Sequence, residues 1–202
     1  MKDLIVFGID LTSNAAKPSA CLGLNARLEA VYFGSLAKNS DIINVTNFYL
    51  PRIIAIDAPL SLPAPTSLQK GRACERQLAA LGIPCYFTTE KSIIKKMVYR
   101  GIELQDKLRQ QRFQAIEVYP YASKVRLFGK TIPRKTTPQG VAFLKEHLGS
   151  ILPALQPYLG MFDHNLCDAA IAAYTAFLYC QGMVDTLGNS EEGVIFIPSI
   201  SS

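Results

Sequence analysis

The feature that most constrains the fold is an uninterrupted apolar run near the start of the chain that ends in a single carboxylate. Residues 4–10 read Leu-Ile-Val-Phe-Gly-Ile-Asp, and a polar turn follows at 11–14. A continuous apolar run, without the alternation of a half-exposed strand, is typical of a strand covered on both faces. We therefore predict a central strand of an α/β sheet, with Asp10 where the strand leaves the core.

Three later acids stand in similar apolar surroundings. Asp57 ends the run Ile-Ile-Ala-Ile-Asp, Glu117 lies within Ala-Ile-Glu-Val, and Asp168 lies within Leu-Cys-Asp-Ala-Ala. Each of the three aspartates alone has a structural explanation, namely a turn for Asp10 and Asp57 or an ion pair for Asp168. Burying all four unpaired would cost several kcal/mol apiece. We therefore predict that Asp10, Asp57, Glu117 and Asp168 converge on one site.

The order of the elements predicts a mixed sheet. Residues 19–25 and 28–36 read as two strands that form an antiparallel meander with the first. A helix at 39–49 then leads to a fourth strand at 52–57, and this strand–helix–strand order implies parallel pairing with the first strand. A fifth strand, also parallel to the first, is predicted at 113–118.

Helices are predicted to flank this five-stranded sheet and to fill an insertion at about 66–112. The last helix is apolar on most sides, so we expect it to be buried. The predicted helices after the fourth strand are 72–81, 91–112, 138–149, 150–159 and 163–184, with a short strand at 193–198. The sequence therefore predicts an α/β fold with a single domain over residues 1–202.

Composition narrows the class of protein. Hydrophobic residues make up 49% and charged residues 18%, which is typical of a globular chain, and no apolar stretch is as long as a membrane span. The first residues lack the cleavage pattern of a signal peptide, so we expect a cytoplasmic protein with no membrane partner. Five scattered cysteines favour free thiols over a zinc site or disulfides.

Six short motifs follow one another along the chain. They are Gly-Ile-Asp at 8–10, Ile-Ala-Ile-Asp-Ala-Pro-Leu at 54–60, Arg-Ala-Cys-Glu-Arg at 72–76, Ile-Glu-Val-Tyr-Pro at 116–120, Asp-Ala at 168–169 and Glu-Gly-Val-Ile-Phe-Ile-Pro at 192–198. In this order they resemble the DUF429 family, predicted nucleases of the ribonuclease-H-like superfamily. The resemblance spans nearly the whole chain, although the family usually has Asp where Glu75 stands. It implies a ribonuclease-H-like fold.

Converging carboxylates suit phosphodiester hydrolysis. Two divalent cations roughly 3.5–4 Å apart can activate water and stabilise the leaving oxygen. Mg²⁺ prefers oxygen ligands, and a bound cation relieves the repulsion that would otherwise raise the pKa of at least one acid. We therefore predict two Mg²⁺ or Mn²⁺ ions, with Asp10 as the bridging ligand and Asp57, Glu117 and Asp168 as outer ligands. The same four acids are the predicted catalytic residues.

Basic residues are predicted to contact a nucleic acid. With 21 basic against 16 acidic residues, gathering four acids into one site leaves a basic surround that suits a polyanion. Arg72 and Arg76 lie one helical turn apart and could clamp a phosphate. The predicted phosphate contacts are Arg72, Arg76, Lys124, Arg126 and Lys130. For the basic residues of 91–112 we favour an ordinary solvated helix face.

Five further candidates lie near the predicted acids in sequence or within the motifs: Thr12, Ser13, Glu75, Asp163 and His164. His164 lies one turn before Asp168, where it could be an extra ligand or a general base. A solvated position for His164 and a helix cap for Asp163 are the simpler explanations.

The leading hypothesis is a Mg²⁺- or Mn²⁺-dependent nuclease acting on DNA or RNA. One alternative is a nucleotide-dependent phosphotransferase of the sugar-kinase and actin type, whose first phosphate loop resembles residues 8–13. Against it, the chain is short for two such lobes, and Asp57 is followed by Ala58 and Pro59 rather than a glycine-rich loop. Another alternative is a catalytically silent scaffold that binds nucleic acid or protein, since a fold alone does not fix function.

Overall fold

The structure, a computed structural model, describes residues 4–14, 16–65 and 68–199. These residues contain two sheets and six α-helices. The strands are β1 (Ile5–Asp10), β2 (Ser19–Asn25), β3 (Ala30–Leu36), β4 (Ile53–Asp57), β5 (Ala115–Glu117), β6 (Val184–Asn189) and β7 (Gly193–Pro198). The helices are α1 (Asn39–Tyr49), α2 (Ala73–Ala80), α3 (Lys95–Gln110), α4 (Pro120–Phe128), α5 (Pro138–Ile151) and α6 (His164–Cys180).

The main sheet has the strand order β3-β2-β1-β4-β5. Strand β1 pairs antiparallel with β2 and parallel with β4, while β2–β3 is antiparallel and β4–β5 is parallel. This confirms the predicted five-stranded mixed sheet. Because β1 lies at the centre and both its faces are covered, its residues read as one apolar run.

Alternate residues of β1 supply two separate cores. Val6 belongs to the core on the α6 side of the sheet, whereas Phe7 and Ile9 belong to the core on the α1 and α3 side. Gly8 lies against α6 so closely that a Cβ atom there would stand 2.1 Å from the backbone nitrogen of Ala173 and 2.2 Å from the carbonyl oxygen of Ala169. Glycine on the strand and alanines on the helix therefore let α6 approach the central strand.

Two predicted helices were wrong in detail, and one helix was missed. The predicted final helix 163–184 ends at Cys180, because Gly182 adopts a φ of 72° and Val184 begins a strand that pairs with β7. The predicted helix 150–159 consists of two short 3₁₀ turns, Pro153–Leu155 and Leu159–Met161. Helix α4, which Pro120 begins at its first position, was not predicted.

The segment between β4 and β5 forms α2, α3 and an irregular connection at 81–94. This is the region predicted as a helical insertion, although residues 66–67 lie outside those described. Within the described parts of the chain, no helix combines the length and the apolar character that a membrane crossing requires.

Candidate active site

Asp10 and Asp57 stand side by side at the carboxyl ends of two neighbouring parallel strands. They are register partners in the β1–β4 pair. No described residue donates a hydrogen bond to either carboxylate. Since no fully buried side-chain oxygen in the described chain lacks a partner, these oxygens keep contact with solvent. The two acids are therefore close together and poorly compensated, with Asp10 buried and Asp57 half-buried.

Burial and mutual repulsion raise the pKa of both acids. The pKa of Asp10 is raised to about 7, first by burial and then by the charge of Asp168, against the opposing charges of Lys135 and Lys124. The pKa of Asp57 is raised well above its usual value by burial and by the charges of Asp10 and Asp168. Both acids therefore hold their protons to higher pH than usual, and a positive ion nearby would favour their charged forms.

Asp168 completes the group from the first half of α6. Its carboxylate lies 2.9 Å from the ammonium of Lys124 on α4, and both side chains are buried. The ammonium of Lys135, which precedes α5 and is 39% exposed, bonds the other carboxylate oxygen. Burial alone would lower the pKa of Lys135. The charges of Asp168 and Asp10 outweigh this effect and raise the pKa above its usual value, so this lysine stays charged. We call Asp10, Asp57 and Asp168 the aspartate cluster.

Glu117, the fourth predicted acid, has different partners. Its two carboxylate oxygens accept from the guanidinium of Arg72 at 2.6 and 2.8 Å, and the backbone N–H of Leu60 donates to it at 2.8 Å. Burial raises the pKa of Glu117, while the hydrogen bonds and charge of Arg72 oppose that shift. This arrangement favours a structural role for Glu117 over the predicted role of metal ligand.

Arg72 is only 1% exposed and connects several acids. Its Nε donates to Glu75 at 2.9 Å and its Nη1 to the hydroxyl of Ser61 at 2.8 Å. Burial lowers the pKa of Arg72, but the hydrogen bonds and charge of Glu117 more than offset this and raise it. The donors of Arg72 are therefore engaged inside the protein, and its predicted phosphate contact stays a prediction.

Glu192 is the acid partner of Arg76, and the sequence analysis missed it. Its carboxylate accepts from the backbone N–H of Ala73 at 2.7 Å and of Ala64 at 3.1 Å, and from Arg76 at 3.1 Å. Burial raises its pKa, but these hydrogen bonds outweigh that effect and lower it. Its place at the start of the last motif was the one available signal. We call Arg72, Glu75, Arg76, Glu117 and Glu192 the Arg72 network.

The remaining predicted phosphate contacts are divided between the interior and the surface. Arg76 belongs to the Arg72 network, and Lys124 is buried against Asp168. Arg126 lies 3.2 Å from Asp185. Lys130 is exposed at the end of α4, where a substrate can reach it.

Four of the five further candidates have different surroundings. Asp163 caps α6 by accepting from the backbone N–H of Leu166 at 2.8 Å, as its alternative explanation predicted, and His164 is half-buried in the first turn. Ser13 is exposed, and Glu75 belongs to the Arg72 network.

The turn after Asp10 is held by an arginine that sequence reasoning missed. Arg100 donates to the carbonyl oxygen of Thr12 at 2.9 Å and to its hydroxyl at 3.0 Å. The same guanidinium bonds Asn39 and the carbonyl of Ala37. Arg100 therefore ties α3 to the loop that follows Asp10.

The aspartate cluster matches a divalent cation in donor chemistry but is not arranged as a closed ligand set. Carboxylate oxygens are the ligands that Mg²⁺ and Mn²⁺ prefer. Across residues 4–14, 16–65 and 68–199, no three His, Cys, Asp or Glu side chains lie close enough together to hold a metal ion. In this arrangement the ammonium groups of Lys124 and Lys135 compensate Asp168 instead.

Gly8 gives no support to the phosphotransferase alternative. Its close packing on α6 already explains the absence of a side chain there. A glycine that lies against a helix backbone does not line a phosphate loop.

Solved structures of RuvC resemble this fold. One is T. thermophilus RuvC in complex with a Holliday junction substrate, at 12% sequence identity and a TM-score of 0.55. Another Thermus thermophilus RuvC structure gives 13% identity and a TM-score of 0.52. Both matches cover 89% of this chain and 97% of the other. The fold is therefore ribonuclease-H-like, as predicted.

Sequence comparison gives the family. Curated proteins provide no match. The family described as "Protein of unknown function (DUF429)" matches residues 8–193, a range that includes the aspartate cluster and the Arg72 network. This confirms the resemblance carried by the six motifs, and the chain belongs to the DUF429 family.

Proposed function

We propose that this protein is a metal-dependent nuclease that hydrolyses phosphodiester bonds of DNA or RNA at the aspartate cluster. The observation that carries the proposal is the pair Asp10 and Asp57, in register at the ends of two central strands, with no donor to either carboxylate among the described residues. The ribonuclease-H-like fold supports the same class of reaction, since one RuvC structure of this fold contains a Holliday junction substrate.

Asp10 and Asp57 would hold the Mg²⁺ or Mn²⁺ ions, and Asp168 would join them. When bound, a pair of such ions activates the attacking water and stabilises the leaving oxygen. The chain itself fixes the separation of the acids and supplies their charge. Because the pKa of Asp10 is about 7, protons compete with the cation for this carboxylate below neutral pH.

The two lysines have different roles in this proposal. Lys124 is buried and fixes the orientation of Asp168. Lys135 is partly exposed, so its ammonium can leave Asp168 and contact a substrate phosphate when a cation takes its place. Glu117 acts as a positioning residue, because its bond from the N–H of Leu60 holds the loop that follows Asp57.

The experiment is a cleavage panel with Mg²⁺ or Mn²⁺, run on single-stranded, duplex, hybrid and branched nucleic acids. We expect cleavage of at least one substrate by the native protein and none by Asp10→Asn. The matched control is Asp106→Asn, which removes an exposed carboxylate paired with Arg109 on α3 and should leave the rate unchanged. Cleavage that persists in Asp10→Asn, or no cleavage of any substrate by the native protein, would contradict the proposal.

A further inference from the structure

A cleft lined mostly by apolar side chains opens beside Asp57. Its lining includes Pro59, Tyr86, Met97 and Tyr119 together with Asp57 itself. The cleft therefore joins the aspartate cluster to the surface of the region between β4 and β5.

Residues 85–100, here called the aromatic–basic segment, form the outer part of this region. Tyr86 is 65% exposed and Tyr99 is 52% exposed, and the ammonium of Lys95 lies 5.9 Å from the centre of the Tyr99 ring. The segment carries four basic residues against the single acid Glu90: Lys91, Lys95, Lys96 and Arg100. Exposed aromatic rings interleaved with cations provide both stacking surfaces for bases and contacts for phosphates.

The backbone around Tyr86 is anchored on both sides. The N–H and the hydroxyl of Thr88 donate to the carboxylate of Glu75 at 2.8 and 2.5 Å. The hydroxyl of Tyr119 donates to the carbonyl oxygen of Pro84 at 2.9 Å. An exposed ring on a fixed backbone loses little conformational entropy when a ligand stacks on it.

We propose that the aromatic–basic segment binds unpaired nucleotides of a nucleic acid, with Tyr86 stacking on a base at the mouth of the cleft. The lysines of the segment then contact the flanking phosphates. Bases within an intact duplex are already stacked on each other, so they offer no free face to Tyr86. This inference rests on the proposed nuclease function. It predicts that the substrate cleaved at the aspartate cluster has a single-stranded part next to the cleaved bond.

The test measures binding apart from cleavage. The full-length protein is titrated in EDTA against a fluorescent single strand of about 20 nucleotides, long enough for several stacking contacts, and against the blunt duplex of the same sequence. We expect the single strand to bind at least about tenfold more tightly. Tyr86→Ala should weaken single-strand binding about five- to a hundredfold, the range expected for losing one stacked base.

Two controls separate stacking from other effects. Tyr86→Phe keeps the ring and should bind as the native protein does. Tyr158→Ala is the matched control, because it removes another exposed tyrosine, one that packs against Phe33 on the α6 side of the sheet.

The phosphate contacts are tested by Lys91→Ala. This variant should lower the salt dependence of the binding constant, by about 0.7 in its logarithmic slope for one lost phosphate contact.

The inference is overturned if the duplex binds as tightly as the single strand, or if Tyr86→Ala binds the single strand as the native protein does. Its failure is distinguishable from failure of the nuclease proposal. Binding through Tyr86 without metal-dependent cleavage would support nucleotide binding by the aromatic–basic segment and would reject the nuclease proposal. Cleavage that depends on Asp10, with no effect of Tyr86→Ala on binding, would do the reverse.

Discussion

The aspartate cluster and the Arg72 network differ in how their buried charges are compensated. Asp10 and Asp57 receive no hydrogen bond from a described residue, and burial and repulsion raise the pKa of both. In the Arg72 network, Glu75, Glu117 and Glu192 each accept from a backbone N–H and from an arginine. A buried acid by itself therefore does not mark a functional site, whereas acids left without donors are the candidates for one.

The largest expected effect is on folding and comes from the Arg72 network. Arg72→Met leaves Glu75 and Glu117 buried without their cation, so the free energy of unfolding should fall by about 3–5 kcal/mol. Urea denaturation followed by circular dichroism measures this change. Arg109→Met, which breaks an exposed pair with Asp106, should change stability by about 0.5 kcal/mol or less. A loss of stability in Arg72→Met as small as that control would show that the network is not structural.

The aspartate cluster should respond in activity instead. Asp57→Asn removes a proposed cation ligand, and cleavage should fall by at least about a hundredfold, because even residues that merely orient ligands affect metal sites 10–100-fold. The same protein should unfold at no lower urea concentration than the native one, since the lost charge was uncompensated. A variant that loses both activity and stability would place Asp57 with the structural acids.

The third effect is a gain of stability that depends on pH. The pKa of Asp10 is raised from 3.8 to about 7, so between these values the folded state binds more protons than the unfolded state, and stability falls as pH rises. Asp10→Asn should therefore be more stable than the native protein at pH 8, on the order of 1–3 kcal/mol, and this gain should vanish near pH 4. Urea denaturation at both pH values tests the sign. Lower stability of Asp10→Asn at pH 8 would mean that its carboxylate is paired after all.

The smallest effect concerns Lys135, the partly exposed lysine beside the aspartate cluster. The charge of Lys135 lowers the pKa of Asp10, so Lys135→Met should move the rising limb of the cleavage-against-pH profile to higher pH. Stability should change by about 1 kcal/mol or less, because the ammonium is partly exposed. Lys130→Met removes an exposed cation outside the cluster and should leave the profile in place. Equal shifts in both variants would indicate a general effect of net charge.

The sequence was sufficient for the strands of the main sheet and for the side-by-side placement of Asp10 and Asp57, because apolar runs that end in acids place those acids at one edge of a sheet. That the acids form a catalytic site stays a prediction. The sequence was not sufficient to separate Glu117 from them. An acid inside an apolar run looks the same whether it faces a cation site or an arginine, and Arg72 is 45 residues away along the chain. Strand β6 was missed for a related reason, since its polar sequence becomes a strand only through pairing with β7.

The packing of Gly8 on α6 has a consequence for variation within this fold. Backbone meets backbone there, with no side chain in between whose size could change the spacing. Asp10 lies two residues after Gly8, and Asp168 lies one residue before Ala169, so both acids take their positions from this one contact. Loops and insertions around the sheet can therefore diversify to suit different substrates while the distance between these two acids stays constant.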